Sequence, residues 1–120
     1  MADILVVDDS ASMRQMVSYT LKTAGHNVVE ASDGVEGINK ASSQQFNLVI
    51  SDVNMPNKSG LELTAELRAK PNYKFTPILL LTTESAGDVK MKGKAAGATG
   101  WVVKPFNPQT LVETVGKVLR

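Results

Sequence analysis

Short runs of β-branched and leucine residues recur along the chain, with amphipathic segments between them. Ile4 to Val7, Val28 to Glu30, Leu48 to Ser51, Ile78 to Leu81 and Gly100 to Val103 read as strands. Several of these runs are apolar at every position, as strands buried on both faces must be. The intervening segments carry the longer period of helices. Met13, Met16, Val17 and Leu21 recur at helical spacing before Gly25 stops the first. Asp33 and Glu36 form a capping-box pattern ahead of a second helix with Val35, Ile38 and Ala41 on one face. Gly60 to Lys70 reads as a third helix closed by Pro71, and Ala86 to Ala96 as a fourth that ends at Gly97. Gly93 inside the fourth costs about 1 kcal/mol relative to alanine, so that helix is expected to be the least rigid. Asn107 and Pro108 suit the N-cap and first position of a fifth helix, with Leu111, Val115 and Val118 facing inward.

A strand followed by a helix, repeated along the whole chain, restricts the topology. Right-handed crossovers place helices on both faces of a parallel sheet, an α/β doubly wound fold. Such sheets bind ligands beyond the C-terminal ends of their strands, where the strand order reverses. Those ends carry chemistry here. Asp8 and Asp9 follow the first run, Asp52 the third, Thr82 the fourth, and Lys104 with Pro105 the fifth. Carboxylates gathered without a cation repel one another and tend to protonate. A divalent ion together with an ammonium keeps them ionised and leaves one of them nucleophilic. The pattern therefore favours a phosphoryl-accepting aspartate.

Composition narrows the setting. With 120 residues, 42% of them hydrophobic and 21% charged, the chain has the size and balance of one domain spanning 1–120. Cysteine is absent, which excludes a disulfide framework, a thiol nucleophile and a cysteine-based zinc site. The 13 Lys and Arg against 12 Asp and Glu leave a net charge of +1, far from the basic excess of a nucleic-acid binder. No apolar run approaches the roughly 18 residues of a membrane span, and Met1 to Val7 lacks the basic region of a signal peptide. The expectation is a soluble cytoplasmic protein without nucleic-acid or membrane partners. Because the fifth helix runs to Arg120, no output domain is expected. His26, in a Gly-His-Asn turn at the other end of the sheet, reads as a surface residue.

The segments VVDDSASMR, VISDVNMPNKSG, LLTTES and GWVVKPF resemble the motifs of the two-component receiver domain across essentially the whole chain. Within that family the chain looks most like stand-alone chemotaxis regulators of the CheY type. The resemblance implies a flavodoxin-like five-stranded sheet in the order 2-1-3-4-5, with its reversal between the first and third strands. It implies that Asp52 attacks the phosphohistidine of a histidine kinase. Mg2+ is then held by Asp9, Asp52 and the backbone carbonyl of Asn54, with Asp8 holding a metal-bound water. Lys104 is implied to pair with one phosphoryl oxygen and Thr82 to donate a hydrogen bond to another.

The resemblance also assigns Thr82 and Trp101 as the switch, which reshapes the surface of the fourth helix, fifth strand and fifth helix. Tyr or Phe is usual at the aromatic position; indole is larger, and its N–H needs a partner when buried. Asn54 and Glu84 match the pair that flanks the attacking water in quickly dephosphorylated chemotaxis receivers. The partners implied are a chemotaxis-type histidine kinase, a flagellar motor switch protein and a phosphatase, acting on a monomer. Such a protein is a signalling component and not an enzyme beyond its own phosphorylation and dephosphorylation. An alternative within the family is a phosphorelay intermediate that passes the phosphoryl group to a histidine phosphotransfer protein. Two other classes compete less well. A haloacid-dehalogenase phosphatase needs a second Asp two residues after the nucleophile, where Asn54 stands. A flavodoxin-like cofactor binder needs a glycine- and hydroxyl-rich loop after the first strand, where two acids stand.

Overall fold

A computed structural model describes residues 2–55, 57–83 and 87–119, apart from the side chains of 87–90. Strands β1 (Asp3–Val7), β2 (Asn27–Ala31), β3 (Leu48–Asp52), β4 (Ile78–Thr82) and β5 (Gly100–Val103) form one parallel sheet in the order β2-β1-β3-β4-β5. They alternate with helices α1 (Ala11–Thr23), α2 (Gly34–Ser43), α3 (Gly60–Arg68), α4 (Gly87–Ala96) and α5 (Pro108–Val118). The expected doubly wound architecture is therefore present.

Pleat alternation divides the core in two. Ile4 and Val6 of β1, Leu48 and Ile50 of β3, and Leu79 and Leu81 of β4 pack with Val17 and Leu21 of α1 and Leu111 and Val115 of α5. Leu5, Val7, Val49 and Ile78 point the other way, onto Ile38, Ala41, Leu63, Leu67 and Tyr73. Residues 4–7 of β1, 48–50 of β3 and 78–81 of β4 can be continuously apolar because each face meets its own layer of helices. The edge strand β5 differs, with Trp101 and Val103 exposed.

Helix starts follow their capping chemistry, with some departures from expectation. Ser10, not either acid before it, caps α1 by accepting the N–H of Met13. Asp33 accepts the N–H of Glu36 as expected, but the Glu36 carboxylate reaches back to the N–H of Ser32, one residue before the cap. Ser59 and Glu62 make the reciprocal capping box at α3. That helix stops at Arg68, and Pro71–Tyr73 adds a turn of 3-10 helix. Ala86, the expected start of α4, lies outside the described residues.

Two apolar positions assigned to helix inner faces lie outside them. Val35 is exposed, and α2 instead buries Gly34 and Gly37 beside Ile38 and Ala41. Added at Gly37, a Cβ would approach Val7 Cγ2 to 3.0 Å, so α2 packs closely on the sheet and a side chain there would require Val7 to give way. Met16 is also exposed, beside a groove of about 560 Å3 between α1 and α5 that Tyr19, Phe106 and Val112 also line. His26 is half-buried, and its Nδ1 accepts the backbone N–H of Ala2 at 3.1 Å. Burial accordingly lowers its pKa. Among the described residues, no helix is long and apolar enough to cross a membrane.

Candidate functional site

The strand order places β1 beside β3, with Val7 level with Ser51. The residues that follow each pair therefore leave the sheet side by side. Asp8 is fully buried just beyond β1, Asp9 is exposed next to it, and Asp52 is the buried last residue of β3. One carboxylate oxygen from each lies within 4.8 Å of the others. Lys104 enters from beyond β5, its Nζ donating to Asp52 Oδ1 at 3.0 Å and to Asp8 Oδ2 at 3.3 Å. Thr82, the last residue of β4, is buried, and its carbonyl accepts the Lys104 N–H at 2.7 Å.

Each carboxylate is held differently. Asp8 Oδ1 accepts the N–H of Ser10, and Oδ2 faces Lys104. Its backbone is fixed as well, with the N–H donated to Ala31 and the carbonyl accepting from Arg14 Nη1 at 2.8 Å. Arg14 is itself tied to Glu30 at 3.0 Å. The Asp9 carboxylate has no hydrogen-bond partner among the described residues. For Asp52 the close fit is in the backbone. A Cβ at Gly60 would stand 2.2 Å from the Asp52 carbonyl oxygen, so only glycine lets α3 begin this close.

The electrostatics leave the three carboxylates short of positive charge. Burial pushes the Asp52 carboxyl above the ordinary carboxylate range; Lys104 opposes the push, while Asp8 and Asp9 add to it. Burial pulls Lys104 down, but its hydrogen bond to Asp52 and the charges of Asp8 and Asp52 outweigh that and leave it raised. Lys104 is thus firmly an ammonium, shared between two carboxylates and insufficient for three. An all-oxygen donor set short of positive charge fits a hard divalent cation of the Mg2+ kind.

Asn54 is exposed two residues past Asp52. Trp101 projects from β5 with 36% of its surface exposed. Glu84 lies outside the described residues. Asp8, Asp9, Asp52, Thr82 and Lys104 therefore meet at one edge of the sheet, as their strand-end positions implied. Arg14 and Gly60 did not stand out in the sequence. A glycine eight residues past an acidic strand end is a weak signal, and an arginine on an amphipathic helix gives none until its partners are known.

A family model for the response regulator receiver domain matches residues 4–116. The chain belongs to that family. Among its relatives, the chemotaxis protein CheY homolog of Campylobacter jejuni is 40% identical over 118 residues, covering 97% of this chain and 91% of that one. The solved structure of Vibrio cholerae CheY4 is 55% identical, covers 98% of both chains and superposes with a TM-score of 0.95. The receiver domain of a Pseudomonas aeruginosa sensor histidine kinase shares the fold, with a TM-score of 0.92 at 24% identity over 98% of this chain and 97% of that one. That receiver has a magnesium ion coordinated in its active-site cleft. The present receiver is thus of the CheY-like kind, and its family is one of signalling proteins, not classical enzymes.

Proposed function

We propose that this receiver accepts a phosphoryl group on Asp52 from a chemotaxis-type histidine kinase in the cytoplasm and, so modified, binds a flagellar motor switch protein. The observation that carries the reading is Lys104 Nζ lying between Asp52 and Asp8 beside the exposed Asp9. A buried, partly uncompensated carboxylate with an ammonium at 3.0 Å is a nucleophile whose product charge already has a partner.

Asp9, Asp52 and the Asn54 backbone carbonyl would hold Mg2+, with Asp8 behind them. When bound, the ion supplies the positive charge that Lys104 alone cannot. The Asp52 oxygen attacks the phosphorus of the phosphohistidine. A P–O bond forms as the P–N bond breaks, and the released imidazole nitrogen takes a proton from water. Lys104 then pairs with one phosphoryl oxygen and the Thr82 hydroxyl donates to another. These contacts act as a switch only if they are stronger in the active arrangement, in which Trp101 and the α4, β5 and α5 surface are repacked. Asn54 and Glu84 flank the water that later hydrolyses the acyl phosphate, and a phosphatase hastens that step. Residues 1–120 act as one receiver unit and as a monomer.

The test is to incubate wild type and Asp52→Asn with a phosphohistidine kinase and Mg2+, then capture each on a motor switch protein. The expected result is a mass increase of one phosphoryl group and retention for wild type alone. Label that moves on to a histidine phosphotransfer protein, without motor-switch retention, would establish the relay role instead.

A further inference from the structure

The carboxylate best placed to reach a metal from solvent, Asp9, is the one whose side chain nothing in the described structure holds. Its backbone sets where the Cα–Cβ bond starts and points, and that backbone begins at the Asp8–Asp9 peptide. The carbonyl of this peptide accepts Arg14 Nη1 at 2.8 Å. The guanidinium is in turn fixed through Nε to Glu30 Oε1 at 3.0 Å, with the two side chains only 18% and 33% exposed. Glu30 belongs to β2 and Arg14 to α1, so the acidic turn is braced through α1 against β2, the strand whose Ala31 carbonyl also accepts the Asp8 N–H.

We infer that Arg14 is a positioning residue for the metal, pinning the Asp8–Asp9 peptide so that the Asp9 carboxylate faces Asp52. Two features suit arginine to this role. Its planar fork satisfies a carbonyl and a carboxylate at once, which an ammonium on a flexible stem does not do in fixed geometry. Glu30 also offsets the guanidinium charge, so a cation near the cation site does not oppose the metal. The role matches that of outer partners at other metal sites, which orient the ligands and whose loss typically lowers affinity by about 10–100-fold. The inference rests on the Mg2+ reading above.

The experiment measures Mg2+ binding by calorimetry for wild type, Arg14→Met and Arg14→Lys, with melting temperature in EDTA recorded for each. Arg14→Met, which keeps the apolar stem, is expected to weaken Mg2+ binding by about tenfold. Arg14→Lys should recover only part of the loss, because charge returns without the fork. The Asp9 amide resonance, on the very peptide that Arg14 pins, should shift in the metal-free Arg14→Met protein. Equal Mg2+ affinity in wild type and Arg14→Met would overturn the assignment even if the variant melted earlier, since that pattern belongs to a purely structural brace. Full recovery by lysine would overturn it too, by showing that charge suffices. Should Arg14→Met not fold, Arg14→Lys decides, because it keeps the charge and loses the fork: weakened binding supports the brace and unchanged affinity rejects it. Failure of wild type to bind Mg2+ would remove the metal reading itself, a result distinct from equal binding by the two proteins.

Discussion

The centre of the sheet and its β5 edge are built on different rules. Every residue of β3 and β4 is buried, whereas Trp101 and Val103 of β5 face outward. Asp8 and Asp52 leave the centre, where two helical layers and neighbouring strands fix the backbone from all sides. Trp101 and Lys104 come from the edge, where one flank of the strand has no further neighbour in the sheet. A receiver needs both kinds of place. An acceptor must be held still for chemistry, and a reporter must have room to change.

The largest expected effect separates the two places outright. Asp52→Asn should abolish acceptance of a phosphoryl group from the kinase, while Trp101→Phe should retain it and alter only capture by the target. Phosphate incorporation followed by mass spectrometry checks this, and loss of acceptance in Trp101→Phe would break the division of labour.

Stability should divide along the same line. Ile50→Ala, in the fully buried third strand, is expected to cost about 2–5 kcal/mol, and Val103→Ala, half-exposed on β5, about 0.5 kcal/mol or less. Urea unfolding of both variants measures the contrast; similar losses would mean that the edge is packed as tightly as the centre.

A smaller effect concerns the charge imbalance in the centre. The Asp52 carboxyl is raised in the fold, so the folded protein holds that proton more tightly than the unfolded chain does. The contribution of Asp52 to metal-free stability should therefore fall as pH rises through the ordinary carboxylate range towards the raised one, then level off. Asp52→Asn lacks that fall and should be the more stable protein at neutral pH without metal, by a margin that Mg2+ reduces. Melting curves in EDTA at acidic and neutral pH test the sign. Equal slopes for the two proteins would mean that Lys104 already compensates the cluster.

The smallest expected signal comes from the edge itself. Trp101 fluorescence should change on addition of Mg2+ and beryllofluoride, a phosphoryl mimic. An unaltered spectrum with both at saturation would leave the tryptophan outside the switch.

How far the sequence revealed all this depended on the kind of interaction. Strands β3 and β4 were legible because burial on both faces leaves an unbroken apolar run, which few other structures need. The pocket residues were legible because a parallel sheet sends consecutive strand ends to one edge. Helix faces were less so. Val35 and Met16 fit an apolar stripe, but the face that α2 packs closely on the sheet is the one carrying Gly34, Gly37, Ile38 and Ala41, and Val35 lies outside it. The caps were ambiguous for a chemical reason: Asp8, Asp9 and Ser10 are all good N-cap residues, and only the backbone path selects Ser10 and leaves both carboxylates to the pocket. Arg14 was beyond reach, because its meaning lies in Glu30, sixteen positions away on a strand that contributes no side chain to the acidic cluster.

Lys104 and Asp8 are 96 positions apart, and their contact joins the first turn of the chain to almost its last. A polypeptide still emerging from the ribosome has Asp8, Asp9 and Asp52 long before it has the ammonium that makes them a site. Neither a nascent chain nor a fragment cut between Asp52 and Lys104 contains the assembled pocket. On the proposed function, competence to take a phosphoryl group should appear only once the chain has folded far enough to bring Lys104 to Asp8 and Asp52.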